Sequence, residues 1–133
     1  MSKSAIYTAN TSAQAATTGT TLSLGSIIRR FGCALNLNGN GIILSKAGYY
    51  DVNASITAAP TVVGTVTATL FKDGLAVPGA TASASVSTAG NFVNLSLTSL
   101  VKVPCDCSAD TLTIVITGAN ATVSNVAMVV EKI

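Results

Sequence analysis

Residues 42–72, IILSKAGYYDVNASITAAPTVVGTVTATLFK, set the architecture. A turn at Lys46-Ala47-Gly48 leads into an alternating apolar run, Tyr50, Val52, Ala54 and Ile56. After a gap marked by Pro60, a second run, Val66, Ala68 and Leu70, ends at Asp73-Gly74. Successive side chains of a strand point to opposite faces of its sheet, so apolar residues at every second position between turn signals are what a half-buried strand requires. Pro60 ends the first strand because proline has no N–H to give a ladder.

The same grammar extends in both directions. Upstream, Cys33, Leu35 and Leu37 alternate up to Asn38-Gly39-Asn40-Gly41. Asn-Gly between alternating runs predicts a tight hairpin, since both residues tolerate the positive φ that a two-residue turn demands. Leu22 and Leu24 are expected to open a strand leading to Ile27-Ile28-Arg29-Arg30-Phe31. The paired arginines then sit at a strand edge or an intersubunit contact, where guanidinium forks meet carboxylates or carbonyls. Residues 1–20 read as an edge strand around Ala5-Ile6-Tyr7, then a loop or arm too polar for a buried strand.

Downstream, Asp73-Gly74 closes a hairpin onto Leu75-Ala76-Val77, and Pro78-Gly79 reads as another turn. Val93, Leu95 and Leu97 alternate, and Leu100-Val101 breaks that phase, which suggests a bulge. Leu112, Ile114 and Ile116 form the next inward row. In residues 123–130 both faces are apolar, with Val126, Met128 and Val130 on one and Ala127 and Val129 on the other. One face fills the core and the other needs a cover, for which a second copy of the chain is the expectation. With about ten short strands and no helical period, the chain reads as all-β, a ten-stranded antiparallel jelly-roll sandwich over residues 21–133 that follows the arm of residues 1–20.

Composition narrows the function classes. The 133 residues suit one domain, large enough to bury roughly two thirds of its unfolded surface. Only 9% are charged, against about 25% in an ordinary soluble domain. Such a surface gives little repulsion between copies. The seven Lys and Arg residues form no basic stripe interleaved with aromatics, so nucleic acid is not an expected partner. Mean hydropathy is +0.59, yet no run approaches the ~18 apolar residues of a spanning helix, so membrane insertion is not expected. The N-terminal residues lack the apolar core of a secretory signal, which implies synthesis in the cytoplasm without export by that route.

Chemistry-bearing residues are scarce. The chain has no histidine, and its five carboxylates are Asp51, Asp73, Asp106, Asp110 and Glu131. General acid–base and nucleophilic catalysis need a base beside a nucleophile, so no catalytic residue, cofactor or metal is assigned, and an enzyme is not expected. Asp106 and Asp110 flank a loop that offers few ligands for a hard cation. Cys33, Cys105 and Cys107 are compatible with buried or half-buried thiols, with one disulfide from Cys33 to the pair, or with a metal shared between subunits. Tyr49-Tyr50 reads as core packing rather than a sugar platform.

At the central stretch the residues resemble the globular domain of the complement C1q and tumour necrosis factor superfamily, whose hallmark is a turn ending in Gly before an apolar-aromatic strand. Here Gly48-Tyr49-Tyr50 follows Ile42-Ile43-Leu44. Leu70-Phe71-Lys72-Asp73-Gly74, Asn94-Leu95-Ser96-Leu97, Asp110-Thr111-Leu112-Thr113-Ile114 and the apolar run at 126–130 fill the later places of that pattern in order. More narrowly, the chain looks like stand-alone domains of Firmicutes bacteria and their phages, similar to the C-terminal domain of the spore-surface protein BclA and to phage head-fibre or decoration proteins. The strand after Gly48 departs from the cytokine pattern, because its second face carries Asp51, Asn53, Ser55 and Thr57.

The resemblance implies a homotrimer. It also implies a non-enzymatic structural protein of a bacteriophage virion, made in the host cytoplasm and carried on the virion surface as a capsid decoration or head fibre, with other virion proteins and a host glycan as partners. The alternative is a receptor- or glycan-binding tip of a tail fibre or a spore-surface adhesin. Tyr7, Val126, Met128 and Val130 are the expected trimer contacts.

Overall fold

The alternating runs pair into two antiparallel sheets in a computed structural model that describes residues 3–104 and 109–133. In chain order the strands are β1 (Ser4–Asn10), β2 (Gln14–Ala16), β3 (Thr20–Thr21), β4 (Ser26–Phe31), β5 (Leu35–Asn38), β6 (Gly41–Leu44), β7 (Gly48–Pro60), β8 (Gly64–Lys72), β9 (Leu75–Val86), β10 (Val93–Val103), β11 (Asp110–Gly118) and β12 (Ala121–Lys132). The first sheet has the order β10-β7-β12-β1-β4, with β2 beside the start of β12. The second has the order β5-β6-β11-β8-β9, with β3 beside β11. Among the described residues no helix is long and apolar enough to cross a membrane.

The inward rows explain why the two sheets stack. Tyr50, Val52 and Ile56 of β7 join Leu70 of β8 and Leu112, Ile114 and Ile116 of β11 in one dry core. Each such side chain contributes about 1.5–3 kcal/mol on full burial. Val126, Met128 and Val130 of β12 belong to the same core, at 1% exposure or less. Their expected role as trimer contacts is therefore corrected: in the protomer they are covered by the second sheet and present nothing to a sister chain. The outward residues of this strand are Ala127 and Val129.

A β-bulge is the reason for that phase. Val123 pairs with Ala58 and Asn125 with Thr57, so Ser124 is an extra residue on β12. It shifts the inward set from Ala121 and Val123 to Val126, Met128 and Val130, since one inserted residue reverses the faces of a period-2 strand. The bulge expected at Leu100-Val101 is absent: β10 pairs with β7 from Val93 to Val103 without a register shift, and Leu100 points outward.

The N-terminal reading needs the largest correction. β1 lies inside the first sheet with β12 on one side and β4 on the other, and residues expected as an arm supply β2 and β3. These two strands bring the count among the described residues to twelve. Polar Thr and Gln residues suit them because each contributes only a short ladder at the sheet margins. Leu22 and Leu24 lie on an extended connector rather than a strand, yet both are fully buried, and the Leu22 N–H donates to the Ile114 carbonyl at 2.8 Å. The connector ends at Gly25, with φ +80°, where a Cβ would collide with the Ala9 carbonyl oxygen.

The turns follow their chemistry with two adjustments. Asp73 and Gly74 both have positive φ, at 52° and 82°, as a type I′ hairpin demands. In the β5–β6 hairpin the central residues are Gly39 and Asn40, and only Gly39 is left-handed, the II′ arrangement instead of the expected Asn-Gly pair. Pro78-Gly79 is not a chain reversal. Phe71 pairs with Ala76 and Thr69 with Thr81, so residues 77–80 bulge opposite Leu70 on an edge strand, where a proline is tolerated.

Candidate interaction surface

Strand alternation gives the first sheet an outer face whose rows can be read from the register. One row runs Leu100, Asp51, Glu131, Ala5, Phe31, and the next runs Thr98, Asn53, Val129, Tyr7, Arg29, across β10, β7, β12, β1 and β4. Tyr7 is 37% exposed, Val129 39% and Phe31 60%. With Ala5, Ile6 and Arg29 they line a shallow recess of about 150 Å³. Val129 also lines a neighbouring recess of about 350 Å³ with Asn53, Ser55, Ser96, Thr98 and Ala127. The face is therefore continuous, apolar-aromatic towards β4 and hydroxyl-amide towards β10.

The structure keeps Tyr7 on this surface and removes Val126, Met128 and Val130 from it. Sequence reasoning missed Val129 and Phe31 as surface groups. The alternation from Tyr7 to Ala5 carried part of the signal, but the pairing of β1 with both β4 and β12 did not show in the sequence. The paired arginines lie on the edge strand β4, where Arg30 donates to Asn36 Oδ1 at 2.8 Å and Arg29 flanks Tyr7. Asp51, Asn53, Ser55 and Thr57 lie on the outward face of β7. The tyrosine pair is split: Tyr50 is core, with its hydroxyl donating to the Lys46 carbonyl at 2.6 Å, and burial raises its pKa above 10.0. Tyr49 is outward, with Lys102 Nζ 5.9 Å from its ring centre.

Folding brings two carboxylate pairs together that sequence spacing did not suggest. Asp51 and Glu131 are direct cross-strand neighbours on the open outer face. Asp110 is buried beside Lys72, at 3.3 Å, and near Asp73. Its carboxyl is held above the ordinary 3.8 chiefly by burial, then by the hydrogen bond and charge of Asp73, with Lys72 opposing. Asp73 Oδ1 also accepts the Thr111 N–H at 2.8 Å, so this cluster ties the β8–β9 turn to β11. Among the described residues no three ligating side chains gather as a metal site. Cys33 is exposed rather than buried; Cys105, Asp106 and Cys107 lie outside the described residues.

No protein-family model and no curated protein sequence matches the chain. Solved structures do. Murine APRIL at pH 5.0 superposes with a TM-score of 0.77 over 99% of this chain and 100% of that one, at 15% identity. The globular domain of the zebrafish complement 1qA protein gives 0.71 over 94% of each chain at 8% identity. The PRD1 vertex protein P5 gives 0.64 over 98% of this chain and 96% of that one at 15% identity. Two stacked antiparallel sheets with this strand order, matched end to end by such different chains, give the protein the jelly-roll fold of the tumour necrosis factor and C1q domains.

Proposed function

We propose that the chain is a non-enzymatic structural protein of a bacteriophage virion, a homotrimeric capsid decoration or head-fibre subunit displayed on the virion surface. The observation that carries this reading is the exposed cluster of Tyr7, Phe31 and Val129 on the outer face of the first sheet. It lies on a chain with only 9% charged residues. Covering that cluster with a sister protomer adds apolar burial without the cost of desolvating many charges. The fold likeness to a phage vertex protein supports the virion setting. Other virion proteins are the further partners of this reading.

Light scattering coupled to size-exclusion chromatography at micromolar concentration tests the assembly. A mass three times that of the protomer is expected, and Val129→Glu should shift it to the protomer mass while leaving the β-sheet circular-dichroism signal intact. A wild-type monomer overturns the proposal. Immunogold labelling of purified particles then tests the location, with label on heads expected; label confined to tail tips supports the receptor-binding alternative.

A further inference from the structure

We propose that a sister protomer docks head to tail on the outer face of the first sheet, so that Arg29 of one copy forks onto the Asp51–Glu131 pair of the next. The inference rests on the trimer reading, whose contact it names, and its test separates the two. The face carries these charges on opposite halves. Asp51 and Glu131 are cross-strand neighbours on β7 and β12, whereas Arg29 stands on the edge strand β4. Three strand spacings, about 14 Å, separate Asp51 from Arg29 within one protomer. The ion pair found among the described residues, Lys72–Asp110, involves none of the three.

The neighbouring cations are placed differently. Arg30 pairs with the buried Ile6, so it faces away from this surface, and it donates to Asn36 Oδ1 at 2.8 Å. Lys102 stands on the acidic half itself, over the Tyr49 ring. Arg29 is thus the cation on the opposite half. A guanidinium suits the acidic pair because its planar fork offers donors to two carboxylates at once. Side chains directly opposite in a sheet stand only about 5 Å apart, so one fork spans them and offsets their mutual repulsion.

The apolar groups match in the same arrangement. Leu100 on β10 and Phe31 on β4, each 60% exposed, stand at the two ends of the row that contains Asp51 and Glu131. Arg29 is one row from Phe31, about 7 Å along the strand and within reach of its own side chain. A contact that brings Arg29 to the acidic pair therefore also brings Phe31 to Leu100, and the recess of about 150 Å³ beside Phe31 and Arg29 receives that leucine. Because both ends lie on one row, successive copies join without a step along the strands. Such a contact closes a ring, where a step would wind a helix.

Charge reversal tests the contact, read as mass by light scattering coupled to size-exclusion chromatography, with circular dichroism to verify folding. Arg29→Glu, and separately Asp51→Arg with Glu131→Arg, should each run at the protomer mass. All three substitutions in one chain should restore the trimer. An equimolar mixture of the two reversed forms should not, because unlike forms attract only where they alternate, and a ring of three always leaves one like-charged contact. A wild-type trimer that survives either reversal, or a loss that the triple variant does not repair, overturns the contact and leaves the trimer standing. Full assembly of the mixture overturns the head-to-tail ring in favour of a two-fold pairing. A wild-type monomer overturns both.

Discussion

Replacing Thr8 by valine should make the protein more stable, although Thr8 is fully buried on a central strand. Thr8 pairs with Met128 on one side and Ile27 on the other, and the inward row continues through Ala54 to Leu97. Its hydroxyl is thus the one polar group in an apolar row, and Oγ1 has no hydrogen-bond partner among the described residues. A buried hydroxyl without a partner costs about 1–3 kcal/mol. Valine keeps the β-branched shape and the strand preference while exchanging that hydroxyl for a methyl. The expected gain is about 1–3 kcal/mol, or roughly 3–10 °C in Tm for a chain of this length.

Urea denaturation at a fixed protomer concentration reads this directly, because association adds a concentration-dependent increment that must be held constant. The midpoint should rise with the slope unchanged. Thr8→Ser is the control: it keeps the hydroxyl and deletes the methyl, so it should lose about 1 kcal/mol. A neutral or destabilising Thr8→Val would mean that the hydroxyl holds an ordered water, and the dry-row argument would fail.

Met128→Ala should cost about 2–5 kcal/mol through a core cavity, seen as a lower urea midpoint in monomer and oligomer alike, whereas an interface residue would affect only the association. Gly25→Ala should cost at least about 2 kcal/mol, since the left-handed backbone disfavours a Cβ and the Ala9 carbonyl blocks it; a midpoint within experimental error of wild type would contradict this. Asp110 has a folded pKa raised above 3.8, so its stabilisation is fully present below the unfolded pKa and is lost as pH rises through the folded value. Asp110→Asn should therefore gain stability relative to wild type as pH rises above the ordinary carboxylate value and through the folded pKa. A difference that is flat or of opposite sign across a series of urea titrations would refute the assignment.

The strand grammar was legible wherever one face alone is buried. Val66, Ala68 and Leu70, or Leu112, Ile114 and Ile116, alternate with polar residues, and the structure buries them as read. Legibility failed where both faces are apolar. In residues 123–130 nothing in the side-chain pattern says which row turns inward, because Ser124 spends one position on a bulge that only the pairing with Ala58 and Thr57 exposes. The same limit hid β2 and β3: ladders of three and two residues carry too few side chains for a period to form. Candidate surface residues suffered most. Phe31 and Tyr7 lie far apart in sequence and become neighbours in one recess only through the β1–β4 pairing.

The two outer faces of the sandwich are chemically unequal, and that inequality bears on which one meets a partner. On the second sheet, Thr65 and Ser85 hydrogen-bond across β8 and β9 at 2.7 Å, and Thr67 and Ser83 do so at 2.9 Å. These hydroxyls satisfy one another and leave a neutral surface with little to gain from being covered. On the first sheet, Tyr7, Val129 and Phe31 expose apolar surface that the protomer has no means to bury, beside an Arg29 able to fork onto a carbonyl or carboxylate. The same face also sets Asp51 directly opposite Glu131, a like-charge contact that costs a few tenths to about 1 kcal/mol in a sheet. A partner that brings a cation or a donor to that pair while covering Tyr7 and Val129 relieves both defects in one contact.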